Sequence, residues 1–239
     1  MNPTKATAHR AGLLYFLFMM VAIFGEFFFP AFIVPGDAAA TARKITAAEP
    51  TYRIGIMTGF VTLVIFIFLV VTLYKLLKDV DRNLAILMVL LVAIGVAVAL
   101  ANLLNKFAPL VLLSGADYLS VFTKPQLDAL ALGFLRVHSN GVTVSTAFWG
   151  LWLFPFGILV IRSGFFPRIL GILLLVAGFA YLTSSVTSMA LPDYREAVSR
   201  VMMPLYFGEV PIIFWLLIKG ARAPQLRAQS SNGKRLPAQ

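Results

Sequence analysis

Six times along its 239 residues this chain runs for roughly twenty positions with almost no charge, beginning with "AGLLYFLFMMVAIFGEFFF". A run of that length crosses the ~30 Å hydrocarbon core of a bilayer as a helix. Lipid offers no water to backbone N–H and C=O groups, so only helices and closed barrels can span it. Barrel strands would be short and alternating, whereas these runs are long and apolar all round. The composition agrees: 60% of residues are hydrophobic and 13% charged, against about 25% charged in soluble domains. The expected fold is all-α, a polytopic integral membrane protein built as a six-helix bundle. The spans fall at about 11–29, 54–77 and 83–104, then one ending near Ile161 that starts somewhere in 125–142, then about 167–189 and 199–219. This divides the chain into an N-terminal tail, 1–10, a transmembrane domain, 11–220, and a polar tail, 221–239. The last has little apolar surface to bury and is expected to be disordered. The first run is too long for a signal-peptide core and lacks a small-x-small cleavage site after it, so it reads as a retained span.

The net charge of +10 would suggest nucleic acid in a soluble protein, but here the basic residues sit in loops and tails. With the N-terminus in the cytoplasm, twelve of the twenty Lys and Arg lie inside and most loop acids outside. That bias places both termini in the cytoplasm and assigns the positive charge to topology and anionic lipid. The expected location is a bacterial cytoplasmic (inner) membrane, with the lipid bilayer as partner and no nucleic acid. There is no cysteine, which excludes disulfides, thiolate metal sites and a cysteine nucleophile.

The loops carry their own signals. Asp37 follows a Pro-Gly turn and should cap an alanine-rich helix ending before Pro50. Asp193 is placed to cap the sixth span in the same way. A continuous helix over 125–161 would be about 55 Å long and must protrude or bend, with Pro155 the expected bend. Gly55 and Gly59, Gly150 and Gly157, and Gly171 and Gly178 mark faces where helix backbones can approach closely.

Two acids fall inside spans. Glu209 lies ten residues before Lys219, about 15 Å from the cytoplasmic edge, and Glu26 about 22 Å up the first span. An ionised side chain at that depth costs about 3 kcal/mol, whereas an interhelical hydrogen bond returns only about 0.6 kcal/mol. That imbalance favours function over structural glue for Glu209. Each should face the bundle interior, and a neutral carboxyl donating a hydrogen bond is one way to lower the cost. Pro211 removes an N–H and frees a carbonyl near Phe207, beside Glu209. The candidates for binding a ligand or a proton are Glu209, Glu26, His138, Asn102, Arg136, Asn140 and Ser184, in one polar cavity of the outer half. On a single helix His138 shares a stripe with Ser145, Trp149 and Trp152, while Arg136 and Asn140 lie on the other side. A break at Gly141 would be needed to bring both sets together. Arg136 is also a partner for Glu26. The competing reading is that these groups hydrogen-bond one another and simply hold helices together.

No Walker loop, H-E-x-x-H or G-x-S-x-G is present. The two histidines, His9 and His138, are expected on opposite sides of the membrane, so they cannot share a haem. One His with two Glu is a thin metal set. No cofactor, metal or catalytic residue is assigned.

The segments "IVPGDAAATARKI", "LWLFPFGILVIRSGFFPRILGILLLVAGFAYL" and "GEVPIIFWLLIKG" resemble the bacterial membrane proteins grouped as the domain of unknown function 4386 family. The similarity runs from about Ala11 to Gly220. It implies a six-helix integral membrane protein and no activity, and it implies that His138 and Glu209 fall where the family often has such residues. Three function classes follow. The leading one is a small-molecule or proton-linked transporter, or a sensor, with an outward-opening cavity, an unknown small ligand and protonation of Glu209 as the gate; a transporter of six spans would call for a homodimer with a shared path. The second is an intramembrane enzyme, lipid-hydrolase-like, using His138 with Glu26 or Glu209. The third is a structural subunit of a membrane complex.

Overall fold

The structure, a computed structural model, describes residues 3–27 and 32–221. Among them are six helical segments long and apolar enough to cross a membrane. The first is α1, Pro3–Phe27, which begins well before residue 11. Residues expected as a tail therefore extend the first helix; Lys5 and Arg10 can snorkel from it. The predicted end of this span, Phe29, and the polar tail from residue 222 lie outside the described residues.

A short helix α2, Ala38–Ala47, follows. The Asp37 carboxylate accepts from the Ala40 N–H at 2.8 Å, so the predicted cap is present. The second span, α3 (Glu49–Leu77), starts one turn earlier than expected because Glu49 and Pro50 suit a helix N-terminus. Asp81 caps the third, α4 (Arg82–Leu112), through the Leu84 N–H at 3.1 Å. The fourth span is a jointed rod: α5 (Lys124–Leu151) and α6 (Leu153–Ser163) meet at Trp152. The joint lies one turn before Pro155, whose ring and missing N–H disturb the turn preceding it. Together they cover forty residues, about 60 Å, so the start of α5 rises beyond a ~30 Å core and packs against α2.

The fifth span is α7, Arg168–Ala190. The sixth is irregular. It comprises α8 (Arg195–Tyr206), a 3-10 turn at Phe207–Glu209, α9 (Val210–Phe214) and a π turn over Trp215–Lys219. Asp193 does not cap it; it sits in a separate 3-10 turn, and α8 has no side-chain cap. The local turn takes up the space an N-cap would need.

The spans pack in ring order: α1 on α3, α3 on α4, α4 on α5, α5 and α6 on α7, α7 on α8, and the π turn back on α1. Arg162 Nη1 reaches Asp81 Oδ2 at 2.9 Å, tying the two short loops at the end where α1 begins. At the same end His9 Nδ1 bonds the Leu217 carbonyl at 2.9 Å, satisfying a carbonyl in the last turn of the sixth span.

An aromatic layer fills the middle. Trp152 stacks on Phe156 with ring centroids 5.2 Å apart and meets Phe66 edge-on at 5.3 Å; Phe66 in turn stacks on Phe18 at 4.9 Å. A smaller cluster of Ile45, Tyr52, Ile56 and Leu135 lies under α2. There the Tyr52 hydroxyl donates to the Lys106 carbonyl at 2.8 Å, joining α3 to α4.

Glycines set the helix spacing, as the sequence suggests for α5, α6 and α7. A Cβ at Gly178 would meet the Gly150 carbonyl at 2.9 Å, and one at Gly171 the Gly157 carbonyl at 2.5 Å. Two others hold the sixth span. A Cβ at Gly12 would lie 2.6 Å from the Leu216 carbonyl carbon, and one at Gly208 would lie 2.5 Å from the Leu173 carbonyl oxygen. Gly55, by contrast, has open space above it. Replacing Gly12 or Gly208 with Val should therefore destabilise the protein by about 1–3 kcal/mol through overpacking. Gly55→Ala should be neutral or stabilising by up to about 1 kcal/mol. Thermal unfolding in detergent micelles reads the difference; equal effects at all three positions would contradict the packing described.

Candidate functional site

The break in the sixth span has a local cause. Proline at 204 and 211 removes two helical N–H donors within eight residues. The Phe207 carbonyl, which Pro211 cannot reach, is taken by the Val210 N–H in the 3-10 turn. No freed carbonyl is left there for a cation, contrary to what the proline suggests in the sequence. Instead the turn aims the Glu209 side chain into the bundle.

Glu209 is half-buried. The Tyr15 hydroxyl of α1 donates to its Oε2 at 2.5 Å, and the Tyr181 hydroxyl of α7 also faces the carboxylate. Two phenols from two helices thus meet one acid from a third. Tyr181 stacks on Tyr206 with centroids 4.4 Å apart, and the Tyr206 hydroxyl donates to Ser184 Oγ at 2.6 Å. Gly12 and Gly208 make this possible, because they bring the sixth span close enough to α1 and α7 for phenols to reach across.

A second polar group lies on α4 and α5. Asn102 Nδ2 donates to the His138 carbonyl at 2.9 Å, and His138 Nδ1 pairs with the Asn102 carbonyl at 3.1 Å. That carbonyl can only accept, so Nδ1 carries the proton and Nε2 is the nitrogen left over. Asn105 Nδ2 donates to Asn102 Oδ1 at 3.0 Å. Gly141 does not break the helix; α5 is continuous through it, and a Cβ there would overlap the Asn102 amide. The glycine is a seat for Asn102. Without a break, Arg136 and Asn140 keep to the far side of α5, where both are exposed.

A cavity of about 290 Å³ lies between α1, α3, α4 and α5. One end holds Asn102, Lys106 and His138; the other holds Phe18, Leu63 and Trp149. Thr58, Thr62 and Ser145 also line it, each donating its hydroxyl proton to the carbonyl one turn back. Their lone pairs alone remain for a ligand. Glu209 does not line this cavity. The two are joined by one ring: Phe18 lines the cavity and meets Tyr15 at a centroid distance of 6.3 Å.

The candidates thus divide. The structure brings Asn102 and His138 to one cavity, and puts Glu209 in a phenol cage with Ser184 one tyrosine away. Arg136 and Asn140 are at neither. Glu26 belongs to α1, but its side chain lies outside the described residues. No group of three or more His, Cys, Asp or Glu placed to hold a metal occurs among the described residues. Tyr15 and Tyr181 were not singled out by sequence reasoning. A signal for Tyr15 existed: it lies ten residues after Lys5, as Glu209 lies ten before Lys219, so both sit about 15 Å deep.

Residues 10–220 match the family described as a domain of unknown function, DUF4386. The chain belongs to the DUF4386 family. An uncharacterized protein of Archaeoglobus fulgidus is similar, 28% identical over 167 residues that cover 70% of this chain and 84% of the relative. No solved structure matches. The DUF4386 match takes in both the phenol cage and the Asn102–His138 pair.

Removing one phenol leaves a buried acceptor short of a donor, which costs about 1–3 kcal/mol. Tyr15→Phe should lower thermal stability accordingly, and combined with Glu209→Gln the losses should fall short of additive by at least about 0.5 kcal/mol. A double-mutant cycle by thermal unfolding measures this; strict additivity would mean that the two side chains do not interact.

Proposed function

We propose that this DUF4386 protein binds a small molecule in the cavity between α1, α3, α4 and α5, as a transporter or sensor, and is linked to the state of Glu209. The single observation that carries this reading is the cavity itself. Its walls are helical and apolar with a few placed polar groups, the usual character of a ligand site. Its volume sits at the low end for such sites, about 300–1,000 Å³.

The basic bias of the loops supports a cytoplasmic-membrane location with both termini inside. In that orientation Asn102 and His138 lie in the outer half and the cavity opens outward. Coupling to Glu209 would run through Phe18 and Tyr15, since a ligand that moves the Phe18 ring also moves the phenol that holds the carboxylate. The sixth span is suited to respond. Discontinuous membrane helices commonly carry substrate and ion sites, and α8 has no buried residue. An enzyme using His138 with Glu209 would need the two side chains in one chamber, and Glu209 is engaged by Tyr15 and Tyr181 instead.

The absence of cysteine makes the test direct. Thr58→Cys and Thr62→Cys each place one thiol on the cavity wall. A membrane-impermeant maleimide added to intact cells or spheroplasts should label both from outside, and the added change Gly55→Phe, which points a ring into open space on the same wall, should slow labelling at least roughly tenfold. Labelling only in inverted membranes would reverse the orientation. No labelling from either side would end the reading of an open ligand cavity.

A further inference from the structure

Asp128 is a carboxylate taken out of water with one cation beside it. It lies near the start of α5, where that helix packs against α2. Its side chain is 4% exposed, whereas that of Lys124, one turn earlier, is 73% exposed. Lys124 Nζ reaches Oδ1 at 3.0 Å and Oδ2 at 2.8 Å. A pair of this kind is weak, because a long solvated stem is ordered for little gain. Enclosing a carboxylate is costly by comparison. The ion pair does not by itself account for where the acid sits.

The carboxylate borders a pocket of about 290 Å³ between α2, the end of α4 and the start of α5. Leu112, Leu113 and Leu127 give that pocket an apolar wall. Arg43 of α2 also lines it, is exposed, and joins no ion pair among the described residues. One small chamber therefore presents a buried acid, a guanidinium and an aliphatic surface.

We infer that this pocket binds a free α-amino acid with an apolar side chain, its ammonium on Asp128 and its carboxylate on Arg43. Each half of the ligand follows from one protein group. An ammonium makes charge-assisted hydrogen bonds to a carboxylate, and a guanidinium takes a carboxylate in a two-point fork. A simple anion would be repelled by Asp128, and a simple amine would leave Arg43 unused; a zwitterion suits both. Lys124 gives way: its stem is already in water, so it swings off Asp128 as the ligand's ammonium arrives. The three leucines receive the apolar side chain. The volume is at the low end for ligand sites, about 300–1,000 Å³, which suits a molecule this small. The pocket shares no lining residue with the cavity between α1, α3, α4 and α5, so either site can fail without the other.

The test measures binding of tritiated leucine to the full chain in phosphatidylcholine nanodiscs by scintillation proximity, with competitors that each lack one charge. Unlabelled leucine should displace the label at least roughly tenfold better than leucinamide, which lacks the carboxylate, or N-acetylleucine, which lacks the ammonium. Arg43→Gln should weaken leucine binding at least roughly tenfold and remove its advantage over leucinamide. Asp128→Asn should remove the advantage over N-acetylleucine. Thermal unfolding checks that each variant is folded, and Arg43→Gln, at an exposed position, carries the test alone if Asp128→Asn does not fold. Lys124→Gln should bind leucine as tightly as the unmodified chain or more tightly. No saturable binding below about 10 mM leucine, equal displacement by either competitor, or unchanged binding in Arg43→Gln would overturn the inference. So would a roughly tenfold loss in Lys124→Gln, because it would make that lysine, and not Asp128, the partner of the ligand.

Discussion

In hydrocarbon a polar group that loses its partner cannot fall back on water, and the sixth span meets that constraint twice in a few residues. Pro204 and Pro211 remove helical N–H groups, and Glu209 adds a carboxyl between them. The molecule answers with short-range geometry. A 3-10 turn hands the Phe207 carbonyl to the Val210 N–H, and two glycines let neighbouring backbones come close enough for phenols to reach the acid. The cage is therefore a tertiary feature. It needs α1 at Gly12, α7 at Leu173 and the sixth span at Gly208 all in close register. The π turn that follows, with its Leu217 carbonyl bonded by His9, fixes the end of the span on the same helix, α1, that supplies Tyr15.

The consequence is a bundle with a tight end and a loose end. At the end where α1 begins, α1 packs on the π turn, α4 packs on α6, and an ion pair links the short loops. Beyond Glu209 the sixth span leaves α1 and continues as α8 against α7. A helix with one packed neighbour and no buried side chain has few contacts to lose when it moves. Tyr15 stands at the boundary between the two regimes: its hydroxyl holds the broken span and its ring touches Phe18 on the cavity wall.

Much of this fold was legible in the sequence because the bilayer demands uninterrupted apolar length. The six spans, the Asp37 cap, the bend before Pro155 and the glycine faces of α5, α6 and α7 all follow from local signals. Boundaries were underestimated wherever polar residues extend a helix past the hydrocarbon, as at the start of α1 and the end of α4. The Asp193 cap failed because a 3-10 turn competes for the same residues. The site was only half legible. Hydropathy singles out Glu209, and helical periodicity correctly separates His138 from Arg136 and Asn140. Periodicity cannot say that Gly141 holds an asparagine from another helix and does not break its own. It also cannot pair Tyr15 with Glu209 across most of the chain. Comparing depths from both ends would have suggested that pair, since tyrosine near mid-span is a polar group awaiting a partner.

The separation of the acid from the cavity has a physical consequence of its own. With the carboxylate held by the Tyr15 phenol, the acid stands apart from the chamber that Asn102 and His138 line. The acid lies instead where the sixth span breaks, and its hydrogen bond ties that break to α1. The Phe18 and Tyr15 rings form the boundary between these two polar sets.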